Sequence, residues 1–162
     1  MKRGSYIGIS LAVLLLDQLT KLAVVARFSL DTTVSLIPRL FRLVRVENRG
    51  IAFGFFSDSP SAITSIILVL ISVAAIGLVG LLLWQNPPSA VRSGVGLALI
   101  LGGAAGNLLD RLARGHVVDF LDFYIGGYHW PAFNVADSAI CVGAATLLWD
   151  LLVAQPARHR AA

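Results

Sequence analysis

A single cysteine, Cys141, leaves no partner for an intrachain disulfide and excludes a cysteine-rich zinc module. Histidine is nearly as scarce: the chain has three, none in an H-E-x-x-H arrangement, and no G-x-S-x-G elbow for a serine nucleophile occurs. Charge is the third shortage. Asp, Glu, Lys and Arg together make up only 14% of the 162 residues, against about a quarter in soluble domains, and this excludes a disordered chain as well. The surplus of cations is small, +4, and in so apolar a chain it fits anionic lipid headgroups better than nucleic acid.

Apolar residues, by contrast, make up 57% of the chain, and the mean hydropathy is +0.80. A membrane-crossing helix needs roughly 20 mostly apolar residues at about 1.5 Å rise each. Four stretches qualify, residues 4–26, 62–84, 93–110 and 135–153. The expected fold is therefore an all-α membrane protein, a four-helix bundle making up one domain over residues 1–162. No internal repeat and no low-complexity segment interrupts it. The first span could also be read as a cleavable signal peptide, but Asp17 and Lys21 between its apolar core and the nearest small-residue site disfavour this.

The connection between spans one and two is long. Residues 40–46 (LFRLVRV) read as a strand ending in a turn at Asn48, Arg49 and Gly50, so a small β-containing cradle is expected there. Residues 51–56 (IAFGFF) are too short to span and too apolar for water, which places them in the membrane interface. Pro87 and Pro88 separate spans two and three. Cys141 reads as a small buried residue and Asp150 as an interfacial helix-end charge.

Orientation is not decided by charge counting. Lys2, Arg3, Arg92, Arg158 and Arg160 lie on the side of both termini, and Arg27, Arg39, Arg42, Arg45, Arg49, Arg111 and Arg114 on the other. Lys2 and Arg3, next to the first span, favour the N-terminus inside.

Ionisable groups in a span are costly and mark candidate functional sites. Alternating the direction of the spans brings Asp17, Lys21, Asn48, Asn107, Asp110, Arg111, Asp119, Asp122, Asn134 and Asp137 to one membrane face. The opposite connection, residues 85–92, has nothing comparable. A transporter or channel would line a path across the bilayer, whereas here polarity stops at one face. Asp17 and Lys21, four apart on a helix, read as a structural pair. Asn107, Asp110 and Arg111 share a helix face after a run of small residues, 102–106, that suits close helix packing. Asn134 followed three residues later by Asp137 is a helix start.

Aspartate is what remains in quantity. Two carboxylates in a poorly solvated site cannot both ionise easily, so they share a proton and can serve together as acid and base in peptide hydrolysis. Asp137 with either Asp119 or Asp122 could supply such a pair, and spacing does not choose between the two. An enzyme using the aspartates to hold Mg²⁺ for lipid-phosphate chemistry is the other catalytic reading, and a non-catalytic assembly factor a weaker one.

Five motifs in order, residues 17–21 (DQLTK), 48–54 (NRGIAFG), 102–111 (GGAAGNLLDR), 117–123 (VVDFLDF) and 131–140 (PAFNVADSAI), resemble those of the bacterial lipoprotein signal peptidases. The resemblance covers nearly the whole chain. It implies an aspartic endopeptidase of the cytoplasmic membrane with both termini in the cytoplasm and its site at the extracytoplasmic face. It further implies a diacylglyceryl-modified prolipoprotein as substrate, phospholipid surroundings, and no cofactor or metal. By motif position, Asp119 and Asp137 would be the catalytic residues. Asn48, Gly102, Asn107, Arg111 and Asn134 would support them and the substrate, and Asp17 and Lys21 would be structural.

Overall fold

The computed structural model describes residues 2–30, 32–50 and 62–154. The apolar run expected in the interface, residues 51–56, lies outside them. Eight elements follow in order: α1 (Arg3–Arg27), β1 (Thr33–Ile37), β2 (Phe41–Asn48), α2 (Ala62–Gln85), α3 (Val91–Arg114), β3 (Val117–Ile125), β4 (Tyr128–His129) and α4 (Val135–Ala154). All four helices are long and apolar enough to cross a membrane. Most of their large side chains face outward, as lipid-facing residues do; Leu15, Leu70 and Leu151, for example, are exposed.

Helix α3 is the hub, packing against the other three helices. Its small residues make this possible. A side chain at Gly102 would meet the Ser10 carbonyl oxygen at 2.6 Å, and one at Gly96 would meet the Gly143 carbonyl oxygen at 2.9 Å. In lipid, where no hydrophobic force drives helices together, such close backbone approach supplies the van der Waals contact that does. Ser10 strengthens the seam by donating to the Ala98 carbonyl at 2.9 Å.

The small sheet has the order β1-β2-β3-β4, with every neighbouring pair antiparallel. It therefore draws strands from two connections: the cradle expected between spans one and two is completed by β3 and β4 from the connection between spans three and four. The turn from β1 to β2 has Pro38 at its second position and Arg39 at its third with φ 66°, the left-handed conformation that a type II turn requires there. Strand β2 runs two residues beyond the expected end, to Asn48. Gly115, left-handed at φ 73°, closes α3, and its N–H returns to the Arg111 carbonyl. That reversal lays β3 beside the end of α3. Val118 and Phe120 from one face of β3 pack with Val24 of α1, which fixes the sheet to the bundle.

Candidate active site

Lys21 and Asp17 are completely buried, so their charges must be balanced within the protein. An ammonium carries three donors, and all three are used here: Asp17 Oδ2 at 2.8 Å, Asp110 Oδ2 at 2.9 Å and Asn107 Oδ1 at 3.0 Å. Asp17 also accepts the Ala136 backbone N–H at 2.9 Å, one of the otherwise unpaired donors in the first turn of α4. A side chain at Gly106 would come within 2.5 Å of Asp17 Oδ2, so the small residue leaves room for the carboxylate. Asp110 pairs with Arg114 and accepts the Val118 N–H at 3.2 Å. This buried cluster thus ties α1, α3, the start of β3 and the start of α4 at one point.

Above it sit two carboxylates on separate elements. Asp137 is in the first turn of α4, where it and Asn134 cap each other. The Asp137 N–H donates to Asn134 Oδ1 at 2.9 Å, and Asp137 Oδ2 accepts the Asn134 N–H at 3.3 Å. The other oxygen, Oδ1, accepts from Asn107 Nδ2 at 2.8 Å. Since Asn107 Oδ1 is engaged by Lys21, the buried ammonium sets which way that amide faces.

Asp119 lies on β3 and is 2% exposed. Its Oδ1 accepts from Asn134 Nδ2 at 2.7 Å and its Oδ2 from Asn48 Nδ2 at 3.0 Å. Asn48 is oriented from its own turn: its Oδ1 accepts the Gly50 N–H at 2.9 Å, which leaves the NH₂ to face Asp119. Burial raises the Asp119 carboxyl from the usual carboxylate range to about 7; Asn48 and Asn134 partly oppose this, and the nearby Asp137 charge adds to it.

Both carboxylates line a cavity of about 470 Å³ with Asn48, Asn107 and Arg111. Its remaining wall is largely apolar, formed by residues 130–133 and by Ile140 and Cys141 of α4. Cys141 is exposed to this space, contrary to the buried position expected of it, because it falls one turn beyond Asp137 on the same face of α4. Among the described residues, no group of three His, Cys, Asp or Glu side chains is arranged to hold a metal ion.

Asn48, Asn107, Arg111, Asn134, Asp119 and Asp137 thus converge, and Asp17 and Lys21 lie directly beneath them. Gly102 does not reach the cavity; it lies in the seam between α1 and α3. Asp122 is also separate. Three residues from Asp119 on an extended strand, it faces the other side and pairs with Arg42 at 2.5 Å. Two contributors were not singled out from the sequence: Gln18, which donates to the Gly106 carbonyl and to Asp17 and Asp110, and the 130–133 wall. Gln18 stands inside the DQLTK motif, and the wall is the apolar stretch immediately before Asn134.

Comparison with known proteins shows the family. Residues 9–153 match the family model of signal peptidase (SPase) II. The lipoprotein signal peptidase of Solibacter usitatus (strain Ellin6076) is 46% identical over 154 residues, covering 95% of this chain and 93% of that protein. That of Burkholderia mallei (strain SAVP1) is 46% identical over 151 residues, 91% of this chain and 87% of the relative. Among solved structures, a bacterial membrane enzyme determined by the in meso method at 2.3 Å resolution superimposes with a TM-score of 0.82 at 28% identity, over 92% of this chain and 88% of that one. Another, at 1.9 Å, gives 0.82 at 26% identity over 92% and 93%. With its four membrane-crossing helices, its small sheet and two carboxylates at one end of the bundle, the chain belongs to the signal peptidase II family.

Proposed function

We propose that this chain removes the signal peptide from prolipoproteins, cutting just before a cysteine that already carries a diacylglyceryl group, with Asp119 and Asp137 as the catalytic pair. The observation that carries this reading is the shared cavity: two carboxylates from different elements, each held by an asparagine NH₂, one of them raised to about 7. Around pH 7, where the Asp119 carboxyl titrates, the reactive form of the pair holds one proton between the two carboxylates. The ionised member takes a proton from water as the oxygen attacks the scissile carbonyl, and the protonated member donates to the developing oxyanion. Collapse of the tetrahedral adduct breaks the C–N bond; the proton gained from water passes to the departing amine, and a hydroxyl proton of the adduct returns to the other carboxylate, which restores the pair. Arg111, on the cavity wall, supports the substrate there, as do Asn48 and Asn107, while Asn134 holds both carboxylates from behind.

The whole of residues 1–162 acts as one integral-membrane unit in the cytoplasmic membrane. Both termini are cytoplasmic, in line with Lys2 and Arg3 beside the first span, and the site faces the extracytoplasmic side. Phospholipid surrounds the bundle. The substrate's acyl chains lie in the same bilayer, where each buried methylene contributes about 0.8 kcal/mol and brings the scissile bond to the pair. No cofactor takes part. The test is signal-peptide release by the purified protein in detergent, with the diacylglyceryl-modified and the unmodified precursor, each with and without EDTA. Efficient cleavage of the modified precursor alone, unchanged by EDTA, is expected. Equal kcat/KM for the two precursors, or a loss in EDTA that Mg²⁺ or Zn²⁺ restores, overturns it.

A further inference from the structure

Asp122 is 4% exposed and takes no part in the arrangement around Asp119 and Asp137. A carboxylate so placed has to be balanced, and two strands supply the partners. Arg42, its cross-strand partner on β2, lies with Nε at 2.5 Å from Oδ2, and His129 on β4 brings Nδ1 to 3.2 Å from the same oxygen. Arg42 also packs over the Tyr124 ring at 5.0 Å, and Tyr124 stacks on His129 with ring centroids 5.3 Å apart. One buried carboxylate thereby joins β2, β3 and β4.

The strand it holds is very short. β4 is two residues long and pairs with β3 only through Tyr124↔His129 and Ile125↔Tyr128, a ladder with little stability of its own. Immediately after His129 come Trp130, Pro131, Ala132 and Phe133, which form the apolar wall of the catalytic cavity. Backbone hydrogen bonds carry the register onward, Trp130 N–H to the Phe123 carbonyl at 2.8 Å and Phe133 N–H to the Leu121 carbonyl at 3.0 Å. Trp130 itself is 60% exposed at the rim.

We propose that Asp122, acting through His129 and Arg42, is a positioning residue that sets the apolar wall of residues 130–133 against which the acylated substrate binds. The inference rests on the peptidase reading given above. It assigns Asp122 to substrate binding and leaves the bond-breaking step to Asp119 and Asp137, because Asp119 is held independently by Asn48 and Asn134.

The experiment measures steady-state kinetics of the full chain in detergent on a diacylglyceryl-modified prolipoprotein, for the unaltered protein, Asp119→Asn, Asp122→Asn, His129→Ala and the Asp122→Asn/His129→Ala double variant. Asp122→Asn and His129→Ala are each expected to raise KM by about tenfold with kcat held within about twofold, the pattern of lost binding that is equal in ground and transition states. The double variant is expected to match the singles, since groups acting through one contact do not add. With Trp84 and Trp149 replaced by Phe, Trp130 fluorescence anisotropy should fall in both single variants, a readout that needs no turnover. Should Asp122→Asn not fold, His129→Ala, which leaves no buried charge unpaired by arginine, carries the same test. Unchanged KM and anisotropy in a folded variant overturn the assignment, as does a fall in kcat at constant KM. An unaltered protein without cleavage, or a fully active Asp119→Asn, instead overturns the peptidase reading, while the anisotropy still reports on the wall.

Discussion

At the end of the bundle holding the start of α1, Tyr6, Leu83, Leu97 and Ala98 form an apolar cluster, flanked by Ser93 bonded to Asp150 and by Arg3 over the Trp84 ring. At the other end, Asp17, Lys21, Asn107, Asp110 and Asn134 are buried together and joined by hydrogen bonds. The apolar end is held mainly by packing, and among the described residues its buried Tyr6 hydroxyl has no hydrogen-bond partner. The five buried groups at the polar end tolerate no such looseness, because each is charged or bonded to a charged one in a medium that screens little. Precision in placing two carboxylates is obtained where side chains are interlocked, and the rest of the bundle holds that lock in lipid.

The largest expected effect separates chemistry from folding at the polar end. Asp119→Asn and Asp137→Asn should each lower kcat by at least about 10³-fold, since removing either half disables both acid and base roles. Size is retained, and the one accepted hydrogen bond forfeited by the new NH₂ is offset by relief of a buried, desolvated carboxylate, so circular dichroism and thermal unfolding should stay close to those of the unaltered protein. An active, folded Asp137→Asn would remove the two-aspartate mechanism.

Comparing Lys21→Met with Leu97→Ala tests the contrast directly. Loss of the ammonium leaves the buried Asp17 without a cation and Asp110 with Arg114 alone, at a cost of about 3–5 kcal/mol, and frees the Asn107 amide that orients Asp137, so stability and kcat should fall together. Leu97→Ala should cost a comparable amount, about 2–5 kcal/mol, through the cavity it leaves, with kcat unchanged at a temperature where the protein stays folded. Thermal unfolding in detergent beside turnover measures both. If Leu97→Ala lowers kcat as much as Lys21→Met does, the two ends are not functionally distinct.

A smaller effect concerns pH. With the Asp119 carboxyl at about 7, the shared proton is lost as pH rises through that value, and kcat/KM should decline above it. The hydrogen bond from Asn48 favours the ionised form, so Asn48→Ala should move the decline to higher pH. A pH–rate profile of the two proteins decides it; a downward move would show that Asn48 does not act on Asp119 in this way.

The smallest effect is expected at the apolar end. Tyr6→Phe removes a buried hydroxyl that has no partner among the described residues, so unfolding stability should change by no more than about 1 kcal/mol, and in the direction of greater stability. A large loss would reveal a role that the packing against Gly94 does not show.

Much of this was legible in the sequence because its signals are local or follow from topology. Length and hydropathy identify a membrane-crossing helix, since each must satisfy its backbone internally. Four alternating spans then bring the polar residues to one face whatever the packing. The start of α4 was equally readable, as Asn134 and Asp137 cap each other within one turn. The two-connection sheet was not, because pairing β2 with β3 joins segments about 75 residues apart. Nor did spacing distinguish Asp119 from Asp122: a strand sends them to opposite faces and a helix would not, and only the pairing with β2 makes this segment a strand. Tertiary structure alone decided that Lys21 serves Asp17, Asp110 and Asn107 at once, and that the chain immediately before Asn134 forms the cavity wall. The reason is physical: which donors meet which acceptors depends on how closely α1, α3 and α4 approach, and no one-dimensional pattern records that distance.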